Sequence, residues 1–89
     1  MKIAWDEAKR RANLRKHGLD FADAEDVFAG ITYTIEDRRF EYGEQRFVTL
    51  GMLRDAVIVI AHTETPGRIR IISMRKATRY EQILYFQNI

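Results

Sequence analysis

Hydrophobic residues follow a helical spacing up to Gly30 and an alternating spacing after it, so two helices are predicted to precede the sheet. Asp6 offers an N-cap oxygen to a first helix that runs through about His17, where Gly18 ends it. Asp20 caps a second helix, which extends to Gly30. Its apolar stripe consists of Phe21, Ala24, Val27 and Phe28.

The residues after Gly30 predict strands separated by short turns. Three segments alternate in polarity or are rich in β-branched residues, and these are Ile31–Glu36, Arg46–Leu53 and Arg68–Arg75. Ala56–Thr63 is apolar on both faces, which is typical of a central strand. Met1–Trp5 is a short apolar opening that fits an edge strand. We expect a charged loop over residues 37–44 and turns at residues 54–55 and 65–67.

The last predicted strand runs directly into a C-terminal helix. Strict alternation along the strand places Ile69, Ile71, Ser73 and Arg75 on one face, and Arg70, Ile72 and Met74 on the other. Helical spacing begins at Ala77 and continues through Tyr80, Glu81, Leu84 and Tyr85. The junction therefore gathers Arg75, Lys76 and Arg79 at one end of the sheet, a set of cations that suits a phosphate.

These elements predict an α+β fold made of one domain over residues 1–89. Two N-terminal helices and a C-terminal helix are expected to pack on an antiparallel sheet of about four strands. Because the connections are short, a meander is the favoured strand order. A chain of this length buries little more than about 60% of its unfolded surface, so a partner would add stability.

The net charge of +2 conceals a strong pattern along the chain. Residues 1–18 carry +4, residues 19–45 carry −6 and residues 46–89 carry +4. Arginine supplies 11 of the 15 cations, and its planar fork suits bidentate contact with phosphate and stacking on bases. Solvated surface charge explains such a pattern as well, but the preference for arginine favours a nucleic acid as a partner.

Other classes of chemistry find little support in the sequence. The chain has no cysteine, which excludes disulfides and thiolate metal sites and fits a reducing compartment, so we expect the cytoplasm. His17 and His62 are the only histidines and lie in no metal-binding motif, so neither a metal nor another cofactor is expected. The longest apolar run, Ala56–Ala61, is far shorter than the roughly 20 residues of a membrane helix, and the N-terminus lacks a signal-peptide apolar segment, so no membrane association is expected.

Several short motifs together resemble the BrnT toxins of bacterial type II toxin–antitoxin systems. They cover nearly the whole chain in order and consist of Trp5-Asp6-Glu7 with Lys9, Asn13, Lys16-His17-Gly18, Phe21 with Ala24, Val27-Phe28, Gly43-Glu44-Gln45-Arg46, Gly51, and Arg70-Ile71-Ile72-Ser73-Met74-Arg75-Lys76-Ala77 with Glu81. Lys-His-Gly after one helix, combined with Ile-Ile-Ser-Met-Arg-Lys-Ala before another, is the specific part. The resemblance implies a RelE-like fold.

The resemblance also implies a function. A protein of this family is expected to be a small ribonuclease that blocks translation and is held inactive by a cognate antitoxin of the BrnA type. Toxin and antitoxin together are expected to bind their own operator DNA, with the DNA-reading element in the antitoxin. This chain alone is therefore expected to contact DNA only through that complex.

Metal-free RNA cleavage needs a proton acceptor for the 2′-hydroxyl, a proton donor for the leaving 5′-oxygen and cations for the phosphorane charge. His17 or Glu44 are the candidates for proton transfer, and Arg75 and Arg46 those for the transition-state charge. Tyr80 is a candidate for stacking or proton donation. The residues expected to bind RNA around the site are Lys16, Arg70, Lys76 and Arg79.

Each candidate also has a structural explanation. His17 is as well explained as a cation at a helix C-terminus, and Arg46 as the partner of Glu44. Tyr80 is as well explained by core packing with its hydroxyl exposed, and His62 by a place in the core. The competing function is therefore a non-catalytic module that binds RNA or an acidic protein through the same arginines.

Overall fold

A computed structural model of the protein describes residues 2–89. Its elements in chain order are β1 (Lys2–Trp5), α1 (Glu7–His17), a 3-10 turn (Phe21–Asp23), α2 (Ala24–Ala29), β2 (Thr32–Asp37), β3 (Arg46–Leu53), β4 (Ala56–Thr65), β5 (Arg68–Lys76) and α3 (Arg79–Gln87). The strands form one sheet in the order β1-β5-β4-β3-β2. The α+β class is confirmed, with β4 at the centre of the sheet as its apolar sequence indicates.

The strand count differs from the prediction of about four antiparallel strands. β2 to β5 form the expected antiparallel meander, but β1 adds a fifth strand that pairs in parallel with β5, from Lys2 opposite Arg68 to Trp5 opposite Ile71. The predicted edge strand is thus present over Lys2–Trp5, while Met1 lies outside the described residues. Local pattern could not show this pairing, because its partner lies more than 60 positions away in the chain.

Capping residues explain where the helices begin. The Asp6 carboxylate accepts a hydrogen bond from the Ala8 amide at 2.8 Å, and Gly18 ends α1 with a φ of 70°. Asp20 caps a 3-10 turn, so the helix predicted from it begins as α helix only at Ala24. α3 begins at Arg79 and not at Ala77, because Thr78 and Glu81 form a capping box.

A β-bulge in β5 overturns the predicted faces of that strand. Ala61 of β4 pairs with Ser73, whereas the next residue, His62, pairs with Ile71, so Ile72 has no partner in the register. The extra residue shifts the alternation, and Ile69, Ile71 and Met74 are all buried in one core cluster. Arg75 is opposite Val59 and Arg70 is opposite Thr63, two residues that share a face of β4. The prediction that Arg75 lies with Ile69 and Ile71 is therefore wrong.

The two faces of the sheet carry separate clusters of apolar side chains. The inner face packs against the 3-10 turn and α2. The buried cluster between them includes Phe21, Val27, Ile58, Ile60 and Met74. The outer face is covered in part by α3, whose Tyr85 packs with Leu50, Val57 and Val59. Helix α1 runs beside β5. Its only buried residue is Asn13, so it adds no large apolar side chain to either core.

Trp5 and His62 pack in the core, as the structural explanation of His62 indicates. Trp5 is partly buried against the inner cluster, with its ring edge-on to Phe21 at a centroid distance of 6.5 Å. The side chain of His62 is fully buried, and its Nε2 lies 2.7 Å from the Thr49 hydroxyl. Burial lowers the pKa of His62 to about 4, because the charged imidazolium is poorly solvated there.

The described helices are too short or too polar to cross a bilayer.

Candidate active site

The outer face of the sheet is only partly covered. α3 packs over the row that contains Leu50 and Val59, while Val48 and Ala61 in the next row stay partly exposed. Beyond them, Arg46, Thr63 and Arg70 stand side by side near the ends of β3, β4 and β5. We call this uncovered surface the open face, defined by Arg46, Val48, Ala61, Thr63, Arg70 and Ser73.

Glu44 joins two arginines at the edge of the open face. Its carboxylate accepts hydrogen bonds from the Arg70 guanidinium at 3.0 and 3.3 Å, and it lies 3.7 Å from Nε of Arg46. Arg70 also donates to the Thr63 hydroxyl at 3.3 Å. Nε of Arg46 is buried without a hydrogen-bond partner. The Glu44 carboxylate thus pairs with two arginines that could also bind a phosphate.

The loop between β2 and β3 is tied to this cluster through Tyr42. The Tyr42 hydroxyl donates to the Asp37 carboxylate at 2.9 Å, and the Arg46 guanidinium lies over the Tyr42 ring, 4.1 Å from its centroid. Asp37 also accepts from the backbone and side chain of Arg39. The Arg39 bonds hold the pKa of the Asp37 carboxyl well below its usual range. The loop therefore has an ionised anchor at its base.

Arg75 lies on the outer face and pairs with α3. Its two terminal nitrogens donate to the two carboxylate oxygens of Glu81, each at 2.8 Å. Hydrogen bonds from Arg75 lower the pKa of Glu81 to about 2, and the same carboxylate accepts from the Thr78 amide. About 41% of the Arg75 side chain remains exposed. Arg75 thus fixes the start of α3 and still presents positive charge to solvent.

Helix α1 brings its basic end to the edge of β5. Lys16 and His17 line a shallow hollow together with Ile72 and Ser73. Asn13 holds this contact, because its side chain accepts from the Met74 amide at 3.1 Å and donates to the Leu19 carbonyl at 3.0 Å. Ser73 is two residues from Arg75 and on the same face, which corresponds to about 7 Å along a strand. The structure therefore places His17 beside Ser73, two residues along β5 from Arg75.

The first turn of α3 carries the remaining candidates. Tyr80 is 72% exposed, so the alternative that it packs in the core is wrong. Arg79 is exposed beside it. Lys76 is opposite Ile58, a residue of the inner face, so its side chain leaves the sheet on the side away from Arg75. The predicted cluster of Arg75, Lys76 and Arg79 is thus divided between the two sides of the sheet end.

The candidates fall into three groups around the open face. Glu44 contacts both Arg46 and Arg70 on one side, Arg75 and Tyr80 lie toward α3, and Lys16 and His17 lie at the β5 edge. Within residues 2–89, no three His, Cys, Asp or Glu side chains are grouped closely enough to hold a metal ion.

Sequence reasoning missed the roles of three residues around the site. Tyr42 and Asp37 lie in or beside a segment predicted only as a charged loop, although its aromatic residues alternate with charged ones. Asn13 is noted in the sequence only as part of the family resemblance, whereas its amide connects α1 to β5. Such a contact joins residues 61 positions apart and has no local signal.

Comparison with known proteins identifies the family of this chain. A family model described as ribonuclease toxin, BrnT, of type II toxin–antitoxin system matches residues 5–81. The crystal structure of the Brucella abortus ribonuclease toxin BrnT is similar with a TM-score of 0.66 and 31% sequence identity, covering 89% of this chain and 99% of that one. A search of curated proteins found no match. The chain belongs to the BrnT family of ribonuclease toxins from type II toxin–antitoxin systems.

Proposed function

We propose that this protein is a metal-independent endoribonuclease that inhibits translation by cutting RNA at the open face. The observation that carries the proposal is the contact of Glu44 with Arg70 and Arg46 beside an uncovered stretch of sheet. A phosphodiester bound there would meet two guanidinium groups and a proton acceptor together. The matching family is described as a ribonuclease toxin, which gives the class of the reaction. A RelE-like fold is part of the same proposal.

The proposed reaction is an internal transfer within the RNA. The 2′-hydroxyl loses its proton to Glu44, and its oxygen attacks the adjacent phosphorus. The bond from phosphorus to the 5′-oxygen breaks, and His17 gives that oxygen a proton. The products are a 2′,3′-cyclic phosphate and a 5′-hydroxyl end. Because DNA lacks the 2′-hydroxyl, the same site leaves DNA intact.

The cations have distinct parts in this proposal. Arg46 and Arg70 bind the scissile phosphate and stabilise the charge of the phosphorane, and Arg75 adds positive charge from the other side of the open face. Lys16 and Arg79 bind flanking phosphates, whereas Lys76, on the other side of the sheet end, binds RNA only outside the open face. Tyr80 stacks on a base or donates a proton, which its 72% exposure permits. The position of His17 supports it as the proton donor, because His17 lies beside Ser73 at the edge of β5.

Membership in a type II system implies an antitoxin partner. We propose that this partner is of the BrnA type, that it covers the open face, and that the complex binds operator DNA through the antitoxin. The place of action is the cytoplasm, where messenger RNA and the antitoxin are both available. Single-domain organisation over residues 1–89 is part of the same proposal.

The test is incubation of the purified protein, in EDTA, with a long single-stranded RNA labelled at its 5′ end. Fragments that end in 2′,3′-cyclic phosphate support the proposal, and their loss in Glu44→Gln and His17→Ala proteins supports the assigned roles. RNA that stays intact while the protein retards it on a gel favours the non-catalytic binding module. Cleavage that disappears with EDTA and returns with added magnesium contradicts metal independence.

A further inference from the structure

Phe40 is an aromatic side chain that the fold leaves in solvent. It is 67% exposed and lies in the loop between β2 and β3, between Arg39 and Glu41. It belongs to neither apolar cluster. A large exposed ring on a loop rich in charged residues does not stabilise the core, so its surface is available to a ligand.

The loop connects Phe40 physically to the candidate active site. The Phe40 ring meets the Tyr42 ring edge-on at a centroid distance of 5.8 Å. The Tyr42 ring also lies under the Arg46 guanidinium, and the Tyr42 hydroxyl donates a hydrogen bond to Asp37. Phe40 therefore stands one ring away from a cation that we assign to the scissile phosphate.

Phe40 lies among charges of both signs, because Arg38 pairs with Glu36 and Arg39 pairs with Asp37. The Arg39 guanidinium lies 5.9 Å from the centroid of the Phe40 ring, and the side chains of Arg38 and Arg39 are 81% and 73% exposed. An aromatic ring beside an exposed arginine is a combination that binds unstacked bases and their phosphates.

We propose that Phe40 is a stacking platform for one base of single-stranded RNA, next to the nucleotide bound at Arg46, with Arg39 on the adjoining phosphate. This inference rests on the proposed function and extends it, because it requires a substrate whose bases are unpaired near the cleavage site. Stacking accepts any base, so the platform increases affinity and sets the path of the strand without reading its sequence.

Binding to an oligonucleotide that cannot be cleaved tests the proposal separately from catalysis. The probe is a fluorescein-labelled single-stranded RNA with 2′-O-methyl groups throughout, which lacks the nucleophile. We expect Phe40→Ala to weaken binding by about 5- to 100-fold, the usual effect of removing one stacking ring. Phe40→Trp should retain affinity. Phe86→Ala is the matched control, because Phe86 is 58% exposed on α3 and lines the hollow beside Met52 and Val57.

Two further measurements separate stacking from simple attraction of charge. An abasic phosphodiester strand of the same length should bind the wild-type and Phe40→Ala proteins equally. The indole fluorescence of Phe40→Trp, measured against the signal of Trp5 in the wild type, should be quenched by the RNA and not by the abasic strand.

Equal affinity of Phe40→Ala and wild type for the RNA probe, or equal weakening with the abasic strand, overturns the stacking proposal. Failure of the proposed function has a different signature. In that case the cleavage assay yields no cyclic phosphate, while the stacking experiments still report whether Phe40 binds a base.

Discussion

The side-chain oxygen of Asn13 accepts a hydrogen bond from the backbone amide of Met74 at 3.1 Å. β1 pairs with β5 only as far as Ile71, so the following residues of β5 have no strand on that side. Asn13 satisfies one of the amides that this arrangement leaves free, and its nitrogen donates to the Leu19 carbonyl. A single buried amide thus connects α1 to the sheet edge and to the turn after the helix.

Replacing Asn13 with alanine should destabilise the protein by about 1–3 kcal/mol, because the Met74 amide and the Leu19 carbonyl lose buried partners. The free energy of unfolding in urea measures this loss. Asn88→Ala is the control: the Asn88 amide also donates to a carbonyl, that of Leu84, but the residue is exposed, and a change within about 0.5 kcal/mol is expected. Equal losses in the two variants would contradict the assigned role of Asn13.

Glu44→Gln should have opposite effects on binding and on cleavage. Removing the negative charge frees Arg70 and Arg46 for phosphate, so the affinity for the 2′-O-methyl RNA should rise. Loss of the proton acceptor should lower the cleavage rate by about 10²- to 10⁴-fold. Glu41→Gln is the matched control from the same loop and should change neither quantity strongly. A Glu44→Gln protein that cleaves at the wild-type rate would move the acceptor role to His17.

Substitutions can distinguish the role of Arg75 from that of Glu81, although the two residues form one ion pair. Arg75→Ala should reduce cleavage by about 10²- to 10³-fold, because positive charge near the phosphorane is lost. Glu81→Gln keeps a side chain that can form the capping box with Thr78, and it leaves the Arg75 charge in place. It should therefore lower stability while retaining cleavage within about tenfold of wild type. Equal loss of cleavage in both variants would mean that Arg75 only positions α3.

The stabilising effect of Glu81 should depend on pH. The pKa of Glu81 in the folded protein is lowered to about 2 from an ordinary value of 4.5. Its stabilising effect is therefore complete above pH 4.5 and is lost as the pH falls toward 2. The stability difference between wild type and Glu81→Gln, measured by urea unfolding, should shrink over this range and stay constant above it.

His62 should make the protein less stable as the pH falls from 6.5 to about 4. Its folded pKa is lowered to about 4, so below pH 6.5 the unfolded chain takes up a proton that the folded protein does not bind. Up to roughly 3 kcal/mol is lost over this window. The Glu64 carboxylate lies 3.5 Å from Nδ1 and opposes the effect, but it is 42% exposed and is screened by water.

Unfolding in urea at pH 7 and pH 5 measures this effect. A His62→Gln protein should lose most of the dependence between these values, whereas His17→Gln, whose side chain is only half-buried, should keep it. Persistence of the full dependence in His62→Gln would show that other groups are responsible.

Gly51→Ala should destabilise the protein by about 1–3 kcal/mol through overpacking. A Cβ added to Gly51 would lie 2.7 Å from Cγ1 of Val27 and 3.2 Å from Cγ2 of Thr32, so α2 would have to move away from β3. Gly30→Ala is the matched control, because its added Cβ meets nothing closer than the Val27 carbonyl oxygen at 3.7 Å. Thermal unfolding of the two variants should rank them in this order, and a reversed order would contradict the close packing.

Local sequence pattern was sufficient for much of this fold. The meander from β2 to β5, the cap at Asp6, the end of α1 at Gly18 and the central place of β4 all follow from spacing and turn residues. The pairing of β1 with β5 depends on a contact between distant parts of the chain, and no local period indicates it. The bulge is equally hidden, since Ile72 has a side chain that suits a regular strand.

The candidate site was predicted unevenly for the same reason. Arg46 and Glu44 are close in the chain, and their contact was considered from the sequence. The contact of Arg70 with Glu44 spans 26 positions and depends on strand register. The predicted grouping of Lys76 with Arg75 was wrong, because neighbouring residues of a strand point to opposite sides. Residue type therefore indicated the candidate side chains, and strand register decided which of them meet.

The bulge in β5 has a consequence for the spacing of the two strand arginines. Arg70 and Arg75 are separated by an odd number of positions, and in an uninterrupted strand an odd separation sends two side chains to opposite sides. One extra residue between them makes the odd separation behave as an even one. In a relative whose fifth strand lacks the bulge, the equivalent arginines must be four or six positions apart to lie on one face of the sheet. Deleting Ile72 here would place Arg70 and Arg75 four positions apart, so a regular strand without the bulge would still hold both charges on the same face.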